Sequence, residues 1–242
     1  MIRQGKILRG FLYAGMLLLL GGILPVAHGR YVLTDQEWKV SAKDGTGTKV
    51  SGSLPVGEDG DGTYVQFNGG AGNYIQVEPL PAFDIAGEGV HIVFRAKWEA
   101  FNSWSRIFDC GNGANQNNLF ISNNGTTSTL VIGLDPTTAS KQMNADISNI
   151  LTLNTLQSWD IVIGPNNGDT AITAQQLKPA TAVYTPAKKQ NGNALDNVVR
   201  KNCYIGKSNW GDAAFKGKIY YILVESASTH QVLFEFDAAK MK

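Results

Sequence analysis

The chain has 242 residues, a formal net charge of +1, two cysteines, and 17% charged against 43% apolar residues. That apolar fraction can build a core, so wholesale disorder is excluded, and the near-neutral charge argues against a nucleic-acid binder, which needs a basic face. Two cysteines without a CxxC pair or a His/Cys cluster exclude a disulfide-dense scaffold and the common zinc sites.

The chain opens with a basic start, Arg3, Lys6 and Arg9, and then an uncharged apolar run from Phe11 to Leu24. Pro25 ends the run, and Ala27-His28-Gly29 puts small residues at the −3 and −1 positions of a cut after Gly29. This layout predicts a secretory signal peptide over residues 1–29. A spanning helix needs about 20 apolar residues, so an uncleaved anchor is the second reading. Removing Arg3, Lys6 and Arg9 leaves 18 basic against 20 acidic residues, a net of −2 over residues 30–242. The expected mature chain is one domain outside the cytoplasm, where disulfides are permitted.

Next come turn clusters and short strands. The cluster Glu58-Asp59-Gly60-Asp61-Gly62 precedes expected strands Thr63–Asn68 and Asn73–Val77, with Asn68-Gly69-Gly70 between them. From Gly89 to Glu99 the alternation is clean. Val90, Ile92, Phe94, Ala96 and Trp98 share one face, and His91, Val93, Arg95, Lys97 and Glu99 share the other. Period two over five apolar residues predicts a half-buried antiparallel strand. Further strands are expected at Ser105–Cys110, Asn118–Asn123, Leu130–Leu134, Trp159–Ile163, Cys203–Gly206, Phe215–Val224 and Gln231–Asp237. The apolar run Ile219–Val224 reads as a central strand covered on both sides. Asp35–Gly62 and Gln175–Asn202 are the least regular stretches and read as short edge strands and long loops. Together this predicts an all-β sandwich or barrel.

The segments DGTYVQFNGGAGNYIQV (Asp61–Val77), VHIVFRAKWEAFNSWSRIFDCGNG (Val90–Gly113), WDIVIG (Trp159–Gly164) and NCYIGKSNWGDAAFKGKIYYILV (Asn202–Val224) follow in this order. The order resembles laminin-G-like domains of the concanavalin A-like lectin/glucanase group. The resemblance covers roughly Thr63 to Val224 and implies a two-sheet antiparallel jelly-roll sandwich, the one domain expected over residues 30–242. It does not name a ligand.

Some relatives in that group hydrolyse glycans with paired acids. Glu235-Phe236-Asp237 offers two acids of the glucanase-like pattern, but Ala238, Ala239 and Lys240 follow where the third belongs. Only His91 and His230 are available as mature-chain histidines, and there is no GxSxG. The expectation is therefore no catalysis.

Binding is the better expectation. Gly111–Gly125 holds six asparagines, among them Asn112, Asn115, Asn117, Asn118 and Asn124, and Asn offers an uncharged donor and acceptor for sugar hydroxyls. Trp104 and Trp210 could stack on a sugar's C–H face beside them. The plainer alternative makes the asparagines turn residues and the tryptophans rim filler. The resemblance also implies calcium, for which Asp59, Asp61 and Asp237 are the candidate ligands; a solvated acidic turn is the competing reading. Cys110 and Cys203 both fall in expected strands, and either form a disulfide or are two buried thiols. The leading reading is a secreted lectin-like module for a glycan or glycoprotein. The alternative is a structural or cell-adhesion subunit that docks on other extracellular protein chains.

Overall fold

The computed structural model describes residues 31–34, 37–40, 47–51, 54–137, 142–167, 169–179, 183–184, 190–191 and 195–241. The expected signal segment 1–29 lies outside them. In chain order the strands are β1 (Tyr31–Thr34), β2 (Glu37–Val40), β3 (Gly47–Ser51), β4 (Val56–Asp59), β5 (Gly62–Asn68) and β6 (Tyr74–Val77). They continue as β7 (Val90–Trp98), β8 (Arg106–Gly111), β9 (Asn118–Asn123), β10 (Leu130–Asp135), β11 (Met143–Ile147) and β12 (Gln157–Asn166). The last six are β13 (Asp169–Lys178), β14 (Val183–Tyr184), β15 (Gln190–Asn191), β16 (Asn202–Ile205), β17 (Lys216–Ser226) and β18 (Val232–Asp237). A 3-10 turn, Ala238–Met241, follows.

These strands make two antiparallel sheets, the sandwich expected from the sequence. The first has the order β1-β2-β3-β6-β16-β8-β9-β10-β11. The second runs β14-β13-β12-β7-β17-β5-β4, with β15 on β13 and β18 on β17. The apolar face of β7 is the centre of the core: Val90, Ile92, Phe94, Ala96 and Trp98 are all fully buried. They meet Ile107, Phe108, Cys110, Ile121 and Ile132 from the other sheet in one continuous core. Inner faces that interdigitate in this way are what hold two sheets together. The Phe108 ring stacks on Phe234 of β18 at 5.8 Å, and Trp98 packs edge-on against Phe215 at 5.6 Å.

Two local expectations change, and the acidic turn cluster takes a defined form. The run Ile219–Val224 is central in its sheet, between β7 on one side and β5 and β18 on the other. It is not covered on both faces: Tyr221 and Leu223 are half-buried and open onto a surface cavity, while Ile222 and Val224 enter the core. β11 and β13 were not expected as strands, because MNADI and DTAITAQQLK carry few β-branched or aromatic residues. The acidic cluster at 58–62 is a hairpin, with Gly60 and Asp61 forming the loop between β4 and β5. Asp59 Oδ1 accepts the Asp61 N–H at 3.0 Å and closes it.

Candidate functional site

The site begins at a strand pair. Cys110 of β8 stands directly opposite Cys203 of β16, and the two form a disulfide. The pairing is antiparallel, so the loop after β8 lies beside the segment leading into β16, where Asn112 bonds Val199 and Lys201, and the loop after β16 lies beside the segment leading into β8, where the Ala213 N–H donates to the Ser103 carbonyl at 3.2 Å. The first loop carries the asparagine-rich segment and the second carries Trp210.

Asp109 anchors the second loop. Its carboxylate is fully buried and accepts the Asn209 backbone N–H at 2.9 Å and the Asn209 side-chain amide at 2.8 Å. Asn118 donates to it at 3.0 Å. Burial pushes the Asp109 carboxyl up, and the Asn209 hydrogen bonds with nearby Arg106 work against that rise. Beyond Asn209, the Ser208 hydroxyl accepts the Trp210 N–H at 2.9 Å and donates to Asp212 at 2.9 Å. Trp210 therefore projects from a loop fixed at three points.

Arg106 sits at the centre of the tryptophans. A β-bulge between Arg106 and Phe108 shifts the strand register, so Arg106 and Asp109 share the outer face despite their odd spacing. The guanidinium carbon lies 4.1 Å from the Phe120 ring centre, 5.3 Å from Trp210 and 5.6 Å from Trp104. Nη1 donates to the Trp104 carbonyl at 3.2 Å, and Nη2 faces Asp212 at 3.3 Å. Burial lowers the guanidinium's affinity for its proton, and Asp109 and Asp212 oppose that effect. A pocket of about 210 Å³ opens here, lined by Trp104, Trp210, Asn115 and Asn144 with Asp135 and Asp212. Asn144 Oδ1 is buried and accepts no hydrogen bond. Burial pushes the Asp135 carboxyl up against the pull of Arg106.

Of the expected ligand groups, Trp104, Trp210 and Asn115 converge on this pocket. The other asparagines hold the scaffold. Asn112 accepts the Lys201 N–H at 2.9 Å and donates to Val199 at 3.0 Å. Asn117 exchanges two hydrogen bonds with Asp196, and its carbonyl accepts from fully buried Arg200 at 3.0 Å. Asn118 bonds Asp109 and the Gln116 N–H. Asn124 sits in a turn, its carbonyl accepting from Thr127, with its amide 3.5 Å from Asp146. Arg106, Phe120, Asp135, Asn144 and Asp212 were not singled out by sequence. The one available signal is the tight spacing of Trp104 and Arg106, which sets a cation next to an aromatic.

The acids proposed for calcium do not form a cage. Asp59 Oδ2 accepts from Lys97 at 2.9 Å, Lys218 at 3.0 Å and the Tyr220 hydroxyl at 2.8 Å. Asp61 pairs with Lys97 at 2.7 Å. Burial disfavours the Asp59 charge, but Lys97, the Asp61 N–H, Tyr220 and Lys218 outweigh it and hold the carboxyl well below the usual range. Ammonium groups thus stand where a metal would have to bind. Asp237 accepts the Ala239 N–H at 3.0 Å and faces Lys240 at 3.7 Å. Among the described residues no three His, Cys, Asp or Glu side chains gather as metal ligands, so this donor set does not fit calcium.

A second, larger cavity of about 640 Å³ lies on the outer face of the other sheet, lined by Val93, Arg95, Leu177, Tyr221, Leu223 and Glu235 among others. Beside it His91 bridges three strands, with Nε2 3.0 Å from Asp160 on β12 and Nδ1 2.9 Å from Glu225 on β17. The Asp160 hydrogen bond, against burial and with help from Glu225, raises the His91 imidazole to about 9.

No protein-family model matches the chain, and no curated protein matches its sequence. Similar solved structures include the full-length tailspike protein 2 of an Escherichia coli O157:H7 bacteriophage, 9% identical with a TM-score of 0.53, covering 77% of this chain and 28% of the tailspike. The enzymatically active domain of a bacteriophage tailspike protein 2 is 10% identical with a TM-score of 0.51, covering 78% of this chain and 32% of that one. A heptameric SAP-like pentraxin from Limulus polyphemus is 18% identical with a TM-score of 0.42, covering 76% of this chain and 79% of the pentraxin. The chain thus spans less than a third of the tailspike chains. At these identities the likeness to the tailspikes is one of fold: a two-sheet antiparallel sandwich.

Proposed function

We propose that this protein is an exported binding module without chemistry of its own, and that the Trp104–Trp210 pocket holds a glycan. The observation that carries the reading is the convergence of two tryptophans, from loops more than 100 residues apart, on one pocket with polar side chains at its walls. A sugar has apolar C–H faces and a rim of hydroxyls. Aromatic rings serve the first, and amides and carboxylates serve the second.

The paired acids near the C terminus support a non-catalytic reading. Glu235 meets the Lys240 ammonium at 2.9 Å and the Tyr221 hydroxyl at 3.2 Å, so it is held as an ion pair rather than poised as an acid. The disulfide and the signal-like segment 1–29 together support export. Among the described residues no helix is long and apolar enough to cross a membrane.

A glycan array probed with the protein tests the reading. Binding to a defined set of glycans, lost in Trp104→Ala and Trp210→Ala, is expected. Silence across the array, together with self-association in light scattering, would replace it with the structural or adhesive role.

A further inference from the structure

We infer that the Trp104–Trp210 pocket selects glycans bearing a free amine over neutral ones, and rejects glycans bearing carboxylate or sulfate. This rests on the glycan reading above and adds the charge class of the ligand.

The argument starts from Arg106, the one cation among the described residues lining the pocket. An arginine can capture an anion with its fork of N–H donors, but only if the fork is free. Here it is not. The side chain is 5% exposed, Nη1 is bonded to the Trp104 carbonyl, Nη2 faces Asp212, and Nε is buried 3.6 Å from Asp109 without a hydrogen bond. Aromatic rings pack around the guanidinium. It organises the pocket and has no open edge for a ligand carboxylate.

The remaining polar groups favour a donor. Asp135 and Asp212 line the pocket, and Asp109 lies behind Arg106, so carboxylates outnumber the guanidinium locally. Asn144 Oδ1 is a buried acceptor with no donor. An ammonium brings three donors and a positive charge, against the carboxylate oxygens of Asp212 and of Asp135, which already accepts the Gln142 amide at 3.3 Å. The raised Asp135 carboxyl agrees with this, because a neighbouring cation would return it to its charged form. An acidic sugar would instead bring a like charge to a partly desolvated carboxylate.

The test is a titration of the protein with three oligosaccharides of equal length: a glucosamine tetramer, its N-acetylated counterpart, and a uronate-containing tetramer. We expect the glucosamine tetramer to bind at least about tenfold more tightly than the N-acetylated one, the scale of one charge-assisted hydrogen bond, with no binding of the uronate. The ratio should collapse when pH is raised until the ligand amine is uncharged. Asp135→Asn should narrow it, and Asp212→Asn serves the same purpose if the first variant does not fold. Equal or tighter binding of the neutral or acidic tetramer overturns the charge class and leaves the glycan reading standing. Failure of all three tetramers, with a silent array, removes both.

Discussion

The ring of Phe120 lies across the bare Cα of Gly133, its partner on the neighbouring strand. The two residues are paired in register between β9 and β10, and a Cβ on Gly133 would run into the ring. The same ring supports the Arg106 guanidinium and meets Trp210 edge-on at 5.9 Å. Gly133 therefore sets the depth of the pocket floor.

This makes Gly133→Ala informative. The added methyl must push Phe120 outward, which costs roughly 1–3 kcal/mol as overpacking does elsewhere. Displaced with it are Arg106 and Trp210, so glycan affinity should fall as well. Urea denaturation and a binding titration on the same variant measure both. Unchanged stability and affinity would mean that the ring is not held as described.

The tryptophans should separate by role. Trp98 is fully buried against Phe94 and Phe215, so Trp98→Ala should cost about 3–5 kcal/mol of stability. Trp210 is half-buried on a loop, and Trp210→Ala should leave the unfolding midpoint nearly unchanged while weakening binding.

Cys110 and Cys203 close a loop with a sequence separation of 93, for which chain entropy gives up to about 4–5 kcal/mol. Thiol labelling of the denatured, unreduced protein should find no free thiol. Reduction should lower the melting temperature and loosen the pairing of β8 with β16. Two labelled thiols without reductant would contradict the bridge.

His91 predicts a pH dependence. Its folded value, about 9, lies above the ordinary 6.5, because Asp160 and Glu225 flank the charged ring. A raised value means that the gain is fully present below about pH 6.5 and is lost as pH rises through 9. At about 1.4 kcal/mol per pH unit the shift corresponds to at most about 3.4 kcal/mol. Stability measured from pH 6.5 to 9 should decline in the native protein and flatten in His91→Gln.

Much of this architecture is legible in the sequence, and the gaps have physical causes. β7 announces itself because strict alternation has one structural meaning. The bulge in β8 is invisible to alternation, which would put Arg106 and Asp109 on opposite faces. The same limit hid the pocket's charged floor. Asn112, Asn115, Asn117 and Asn118 look alike in sequence, because the same amide serves a turn or a ligand. Only their partners separate them. Asp59 reads as half of a cation cage until Lys97 and Lys218 arrive from strands 38 and 159 residues away.

The proposed export makes a separate prediction. Protein recovered outside the producing cell should begin near Arg30, as read by intact-mass spectrometry. A mass that includes Met1–Gly29 would mean that the apolar segment is kept as an anchor.

The most direct test of the central claim is calorimetric titration of the protein with the best glycan from the array, in four versions: native, Trp104→Ala, Trp210→Ala and Leu177→Ala. Leu177 is exposed in the cavity of the opposite sheet. The account predicts that each tryptophan variant loses roughly 1–3 kcal/mol of binding, and that Leu177→Ala binds as the native protein does. Full binding by both tryptophan variants, with loss in Leu177→Ala, would contradict it and move the site to the face that carries His91, Arg95 and Lys97.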